Sequence, residues 1–192
     1  MAADFEPPMF DPAADDAVNY GSAGWLIGHE LTHGFDDHGR TFDAAAALRD
    51  WWTPEEAEAF KERADKLGAQ YARFEVVPGV HIDPGHTMGE NIADLGGLLL
   101  ALDAYHASLH GKPAPMIGGL SGDQRFFMSY AQIARAKIRP AKLREIAMRD
   151  VHSPDKFRVL GVLPNVDGWY DPFDVKPGDR MYRPPAERVR IW

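Results

Sequence analysis

The segment His29-Glu30-Leu31-Thr32-His33 places two imidazoles four residues apart with a carboxylate beside the first. On a helix, residues four apart lie on one face, so both rings can share one metal ion. In this pattern the intervening Glu30 is not a ligand. It takes a proton from a metal-bound water, which then attacks a carbonyl. The metal lowers the pKa of that water toward about 7. The chain has no cysteine, so any metal is held by nitrogen and oxygen atoms.

A third ligand is required. The extended pattern HExxHxxGxxH is excluded, because the third residue after His33 is Asp36 and the sixth is Gly39. His38 falls at the wrong spacing and reads as an exposed loop histidine. Glu90 and Asp94 are four apart and share a helix face. Glu90 can bind the metal directly, and Asp94 can accept a hydrogen bond from a ligand imidazole and orient it. Equally, Thr87-Met88-Gly89-Glu90 can be a helix capping box, with Asp94 a solvent-facing acid. The residues alone leave both readings open.

These groups need helices to position them. Trp25, Leu26 and Ile27 lead into the histidine motif. Thr53-Pro54-Glu55-Glu56 has the signature of a helix start, with Thr at the N-cap, Pro first and Glu third. Ala57, Phe60, Ala64, Leu67 and Tyr71 follow at helical spacing. Val76, Val77, Val80 and Ile82 suit a short extended piece around Pro78-Gly79. An apolar helix is expected from Ile92 through Leu102 to about Leu109. Gly96-Gly97 inside it costs roughly 1 kcal/mol per glycine relative to Ala, which points to close approach of another backbone. Ser121-Gly122-Asp123-Gln124 is another capping box, and Pro140 starts a short helix to about Met148. From Asp150 onward, frequent Pro and Gly predict mostly loop. The fold class is therefore mainly α, helical with little strand. Residues 1–20 read as an extended arm, and 21–192 as the catalytic unit.

Composition narrows the class. With 192 residues and 45% hydrophobic content the chain suits a single domain with a real core. A net charge of −8 argues against nucleic acid as the main partner. No stretch is apolar and long enough to span a membrane. Residues 1–20 have neither a basic start nor an apolar run, so they do not read as a signal peptide. The compartment stays open between periplasmic or secreted and cytoplasmic.

Four segments, NYGSAGWLIGHELTHGFDDHGR, LRDWWTPEEAEAF, MGENIADLGGL and FRVLGVLPNVDGWYDPFDVKPGDRMYRPPAERVRIW, closely resemble the neprilysin (M13) family. These are zinc endopeptidases of the neprilysin and endothelin-converting-enzyme type, with PepO-like bacterial members. The resemblance runs from about Phe5 to Trp192. It implies a thermolysin-like (gluzincin) catalytic subdomain holding one Zn2+ through His29, His33 and Glu90, with Glu30 as base. Asp94 resembles the family's acid behind the ligands, and Asp36 a similar partner of the second histidine. Asp150-Val151-His152-Ser153-Pro154 resembles a D-x-H-x-P motif whose histidine stabilises the oxyanion. Arg158 resembles the arginine that hydrogen-bonds a substrate carbonyl. The implied activity is hydrolysis of small peptides on the amino side of hydrophobic residues.

The resemblance also marks departures. Family members are much longer, and this chain begins inside their catalytic domain. It lacks the upstream strand that pairs with substrate backbone and the large helical lobe around the cavity. The cysteine near the C-terminus of animal members is absent, which suggests a bacterial-type member with an intact C-terminus. An exposed apolar surface is expected where the missing parts would dock, favouring self-association or a partner chain. The alternative is a zinc-binding fragment or subunit with little activity unless joined by that N-terminal region.

Overall fold

A computed structural model describes residues 5–192. Helix dominates, as the periodicity predicts, and the only sheet among the described residues is a two-stranded hairpin. Helix α1 (Asp16–Asn19) passes through a π-helical turn (Tyr20–Gly24) into α2 (Trp25–Thr32) and a 3-10 turn (His33–Phe35). After a loop come α3 (Pro54–Tyr71), the strands β1 (Glu75–Val77) and β2 (Val80–His81), and the long helix α4 (Pro84–Ser108). Helices α5 (Gly122–Ile133), α6 (Pro140–Arg149) and α7 (Asp155–Val162) follow.

Local chemistry accounts for most helix starts. Thr53 accepts from the Glu56 amide while the Glu56 carboxylate accepts from the Thr53 amide. Ser121 and Gln124 make the same reciprocal pair at α5. Each satisfies two amide donors that a helix end leaves orphaned. The hairpin pairs Glu75 with His81 and Val77 with Val80 across Gly79, which has a φ of +75°.

Two expectations are corrected. The extended arm over 1–20 stops short, because Asp15 caps α1 by accepting from the Ala17 amide. Its first four residues lie outside the described ones. The capping box at Thr87 does not form. Asp83 is the true cap, accepting from the Gly85 amide, and Pro84 takes the first helical position. Thr87 already lies in the second turn, and its hydroxyl donates to the Asp83 carbonyl. Glu90 therefore stands inside a formed helix rather than at a fraying end. The segment after Asp150 is mostly loop and turn, as expected, with one α-helix in it. That helix is α7, which starts directly after Pro154 and buries Phe157 and Val162.

Helix α4 is the spine. Ile92, Leu95, Leu98, Ala101, Leu102 and Tyr105 sit in the core from several sides of the helix. From Asn91 to Leu98 every residue is buried, so this stretch of the helix is enclosed on all sides. Helix α2 packs along it more extensively than any other pair. The reason lies in Gly28 and Gly97. A Cβ on Gly28 would stand 2.6 Å from the Gly97 carbonyl oxygen, and one on Gly97 would stand 2.5 Å from the His29 nitrogen. Neither position tolerates a side chain, so the two backbones touch as the Gly96-Gly97 pair predicts. Helices α3, α5 and α7 close the core with Leu67, Tyr71, Phe126, Phe127, Tyr130 and Val162.

Part of the surface is apolar. On α2, Ile27 and Leu31 are 50% and 64% exposed, and Phe35, Leu48 and Trp51 are exposed nearby in sequence. No helix among the described residues is long and apolar enough to cross a membrane.

Candidate metal centre and catalytic site

The α2–α4 crossing sets the site. His29 projects from α2 and His33 from the start of the following turn, four residues on. Their Nε2 atoms face each other at 3.0 Å. From α4, the Glu90 Oε2 atom lies 3.2 Å from the Nε2 of His29 and 3.7 Å from that of His33. These three residues form a cluster with one ligand atom each close enough to hold one metal ion.

The chemistry of the donors fits a zinc ion. The Nδ1 of His29 stands 2.9 Å from Asp94 Oδ1, and that of His33 stands 2.7 Å from Asp36 Oδ2. A carboxylate accepts, so each Nδ1 carries the proton and each Nε2 presents its lone pair inward. Glu90 Oε2 is buried and makes no hydrogen bond of proper geometry despite its near neighbours. Lone pairs from two nitrogens and a carboxylate oxygen thus converge on one point, an arrangement that suits a metal cation. Electrostatics agree. Burial pushes the His29 imidazole down, but Asp94 and Glu90 outweigh it and raise it to about 9. Burial pushes the Glu90 carboxyl up, yet the imidazoles of His152, His29 and His33 hold it well below the usual carboxylate range. The cluster favours positive charge at its centre.

Asp94 serves two partners. Besides His29 it accepts two hydrogen bonds from Arg158, at 2.8 Å from Nε and 2.6 Å from Nη2. Burial raises the Asp94 carboxyl, but Arg158 and His29 outweigh it and leave it below its ordinary value. Arg158 comes from α7, and its guanidinium carbon lies 5.2 Å from the Trp25 ring centre. Its backbone carbonyl accepts from the Tyr130 hydroxyl at 2.9 Å. His152 reaches the cluster from the loop before α7. Its Nε2 is 3.1 Å from Glu90 Oε2, and its Nδ1 is 2.8 Å from Asp150 Oδ1. The adjacent Glu90 carboxylate comes first in raising the His152 imidazole above its ordinary value, against its burial.

Glu30 follows His29 directly on α2. It is exposed and lines a cavity of about 770 Å³ with His29, His152 and Arg158. Trp25, Leu26, Ile27, Leu31, Tyr130 and Ile133 supply apolar walls. The structure thus brings His29, Glu30, His33, Asp36, Glu90, Asp94, His152 and Arg158 into one neighbourhood. His38 stays outside it, with a side chain 90% exposed. Two contributors were not read from the residues. Trp25 packs 5.5 Å from the His29 ring, and its place four residues before His29 was the available signal. Asp150 also accepts from the His152 amide, a local turn that the D-x-H spacing encodes.

Comparison with known proteins agrees with this geometry. Residues 1–189 match the profile of Peptidase family M13. Human neprilysin is 38% identical over 192 residues, covering 97% of this chain and 25% of neprilysin. Endothelin-converting enzyme 1 of Cavia porcellus is 37% identical over 189 residues, covering 96% of this chain and 24% of that protein. Among solved structures, the Mycobacterium tuberculosis zinc metalloprotease ZMP1 in complex with an inhibitor superposes with a TM-score of 0.95 at 48% identity. It spans 100% of this chain and 30% of its own. PepO from Lactobacillus rhamnosis gives a TM-score of 0.86 at 34% identity, covering 98% of this chain and 28% of its own. The chain spans about a quarter of the length of the curated relatives it matches. With a family profile matched almost end to end and a shared fold, this chain belongs to peptidase family M13.

Proposed function

We propose that this chain carries the catalytic centre of a zinc metalloendopeptidase that cleaves small peptides on the amino side of hydrophobic residues. The convergence of His29, His33 and Glu90 beside Glu30, at the wall of a largely apolar cavity, carries this reading. The His29, His33 and Glu90 side chains are the zinc ligands. Zinc bound there supplies Lewis acidity, polarising the scissile carbonyl and lowering the pKa of a water toward about 7.

The chain's own residues supply the rest. Glu30 is not tied up by any hydrogen bond among the described residues, so its carboxylate accepts the proton of the attacking water and passes it to the leaving amine. Asp94 and Asp36 hold the ligand imidazoles in the tautomer that leaves Nε2 free. His152 donates from Nε2 to the developing oxyanion, with its other nitrogen held by Asp150. Arg158 is fixed edge-on by Asp94 and offers a remaining guanidinium donor to a substrate carbonyl. Trp25, Leu26 and Ile133 line the cavity that receives the hydrophobic side chain following the cut.

The test is hydrolysis of a short peptide with a central Phe or Leu, by wild type and by Glu30→Gln with zinc content measured in both. The variant keeps its zinc and loses activity by about a hundredfold or more, as expected for loss of a general base. Equal rates would sink the assignment of Glu30.

A further inference from the structure

His152 is 44% exposed at its side chain and sits on a loop, yet the role given to it above needs a fixed position. Its neighbour in sequence is the opposite. Ser153 is 1% exposed, and its hydroxyl donates to Asn91 Oδ1 at 2.7 Å. Asn91, also 1% exposed, follows the Glu90 ligand directly. The bond therefore joins the residue after His152 to the residue after Glu90.

The orientation of the Asn91 amide follows from its other partner. The Thr87 hydroxyl donates its single proton to the Asp83 carbonyl at 3.1 Å, so toward Asn91 it can only accept. Asn91 Nδ2 donates to it at 2.9 Å, which turns Oδ1 toward Ser153. Donors run in one direction from the loop, through Asn91 and Thr87, to the cap of α4. Every side chain in the chain is buried. Such a string resists reorientation, because no member can rotate without leaving a buried polar atom unpaired.

We propose that Asn91 and Ser153 are positioning residues that clasp the His152 loop to helix α4 and hold the His152 imidazole over the metal site. The proposal rests on the reading of His152 as oxyanion donor. Asp150 sets the ring's rotation through Nδ1, and the clasp sets the loop's distance from Glu90. Pro154 follows Ser153 and precedes α7, so the same clasp anchors the start of the helix that carries Arg158.

The test uses the zinc-loaded chain with histidine labelled in 15N. Ser153→Ala is expected to keep its zinc, keep the imidazole signals of His29 and His33, and broaden or split those of His152. Peptidase kcat falls about tenfold with KM nearly unchanged, the lower end for loss of an outer hydrogen-bond partner. In a His152→Ala background the same change costs nothing further. Ser153→Thr, which keeps the hydroxyl, restores the sharp His152 signals. If Ser153→Ala does not fold, Ser153→Cys replaces it, keeping the volume while weakening the donor. Unchanged His152 signals in the folded variant overturn the clasp. So does an equal loss of kcat with and without His152. An active His152→Ala enzyme, by contrast, would overturn the oxyanion role alone, while the His152 signals of Ser153→Ala still decide the clasp.

Discussion

The Arg158 guanidinium grips the Asp94 carboxylate through two hydrogen bonds, 2.8 and 2.6 Å long, with Asp94 wholly buried. The same carboxylate orients His29. The candidate metal site and the cavity-lining arginine therefore share one anion. Asp94→Ala strands a buried cation and frees a ligand ring together. Loss of one partner of a buried pair costs about 3–5 kcal/mol. Urea denaturation of the zinc-free proteins should show a loss of that order, and wild-type-like stability would contradict the shared role.

Asp94→Asn is the gentler probe. It keeps the size of the group but removes its charge and one acceptor. Zinc affinity, measured by competition with a chromogenic chelator, should fall about 10–100-fold. Asp36→Asn should act likewise through His33, whose Nδ1 it holds at 2.7 Å.

Metal removal should be visible in stability. A ligand that binds only the folded state at a hundred times its Kd stabilises by about 2.7 kcal/mol. Chelation should lower the Tm of the wild-type chain, and re-addition of zinc should restore it. His29→Ala and Glu90→Gln should melt at one temperature with or without zinc, and metal analysis should find under one ion per chain.

Two glycines near the histidines should behave oppositely. A methyl on Gly97 meets the His29 backbone nitrogen at 2.5 Å, so Gly97→Ala must force α2 from α4. Overpacking of this kind costs about 1–3 kcal/mol or more. Zinc affinity should fall with it. Gly34, directly after His33, has nothing within 4 Å of such a methyl. Gly34→Ala should leave Tm and zinc binding near wild type.

At the C-terminal tail, Asp167 accepts from Arg188 and from Arg190. The Arg188 hydrogen bond leads in holding the Asp167 carboxyl below its usual range. A depressed carboxyl contributes stability above its unfolded pKa of about 3.9 and loses it as pH falls through the folded value. The group is half exposed, so the contribution is at most about 1 kcal/mol. Asp167→Asn should therefore lower Tm slightly at pH 7, with the difference from wild type shrinking in strong acid.

The sequence showed the helices best where their signals were local. Thr53 and Ser121 announced α3 and α5 because a capping box is written in four adjacent residues. Thr87 misled because it offers the same four-residue pattern three residues inside a helix already started by Asp83-Pro84. Helix α7 was missed because its Pro and Gly neighbours outweighed an eight-residue signal. The histidine pair was legible from spacing alone. That Glu90 and Asp94 meet it depends on how α2 crosses α4, and only the Gly96-Gly97 pair hinted at that crossing. His152 and Arg158 reach the site through tertiary contacts across about sixty residues, which no periodicity can encode.

At Gly28 and Gly97 the two ligand-bearing helices meet main chain to main chain, with no side chain between them. The gap spanned by His29 and Glu90 is consequently set by the radii of peptide atoms, which are common to all sequences. Drift elsewhere in the core can reshape how α2 and α4 are braced without retuning the distance between the groups they present. The metal centre is thus insulated from the mutational history of its own scaffold, save at the two positions where a single carbon atom would pry it open.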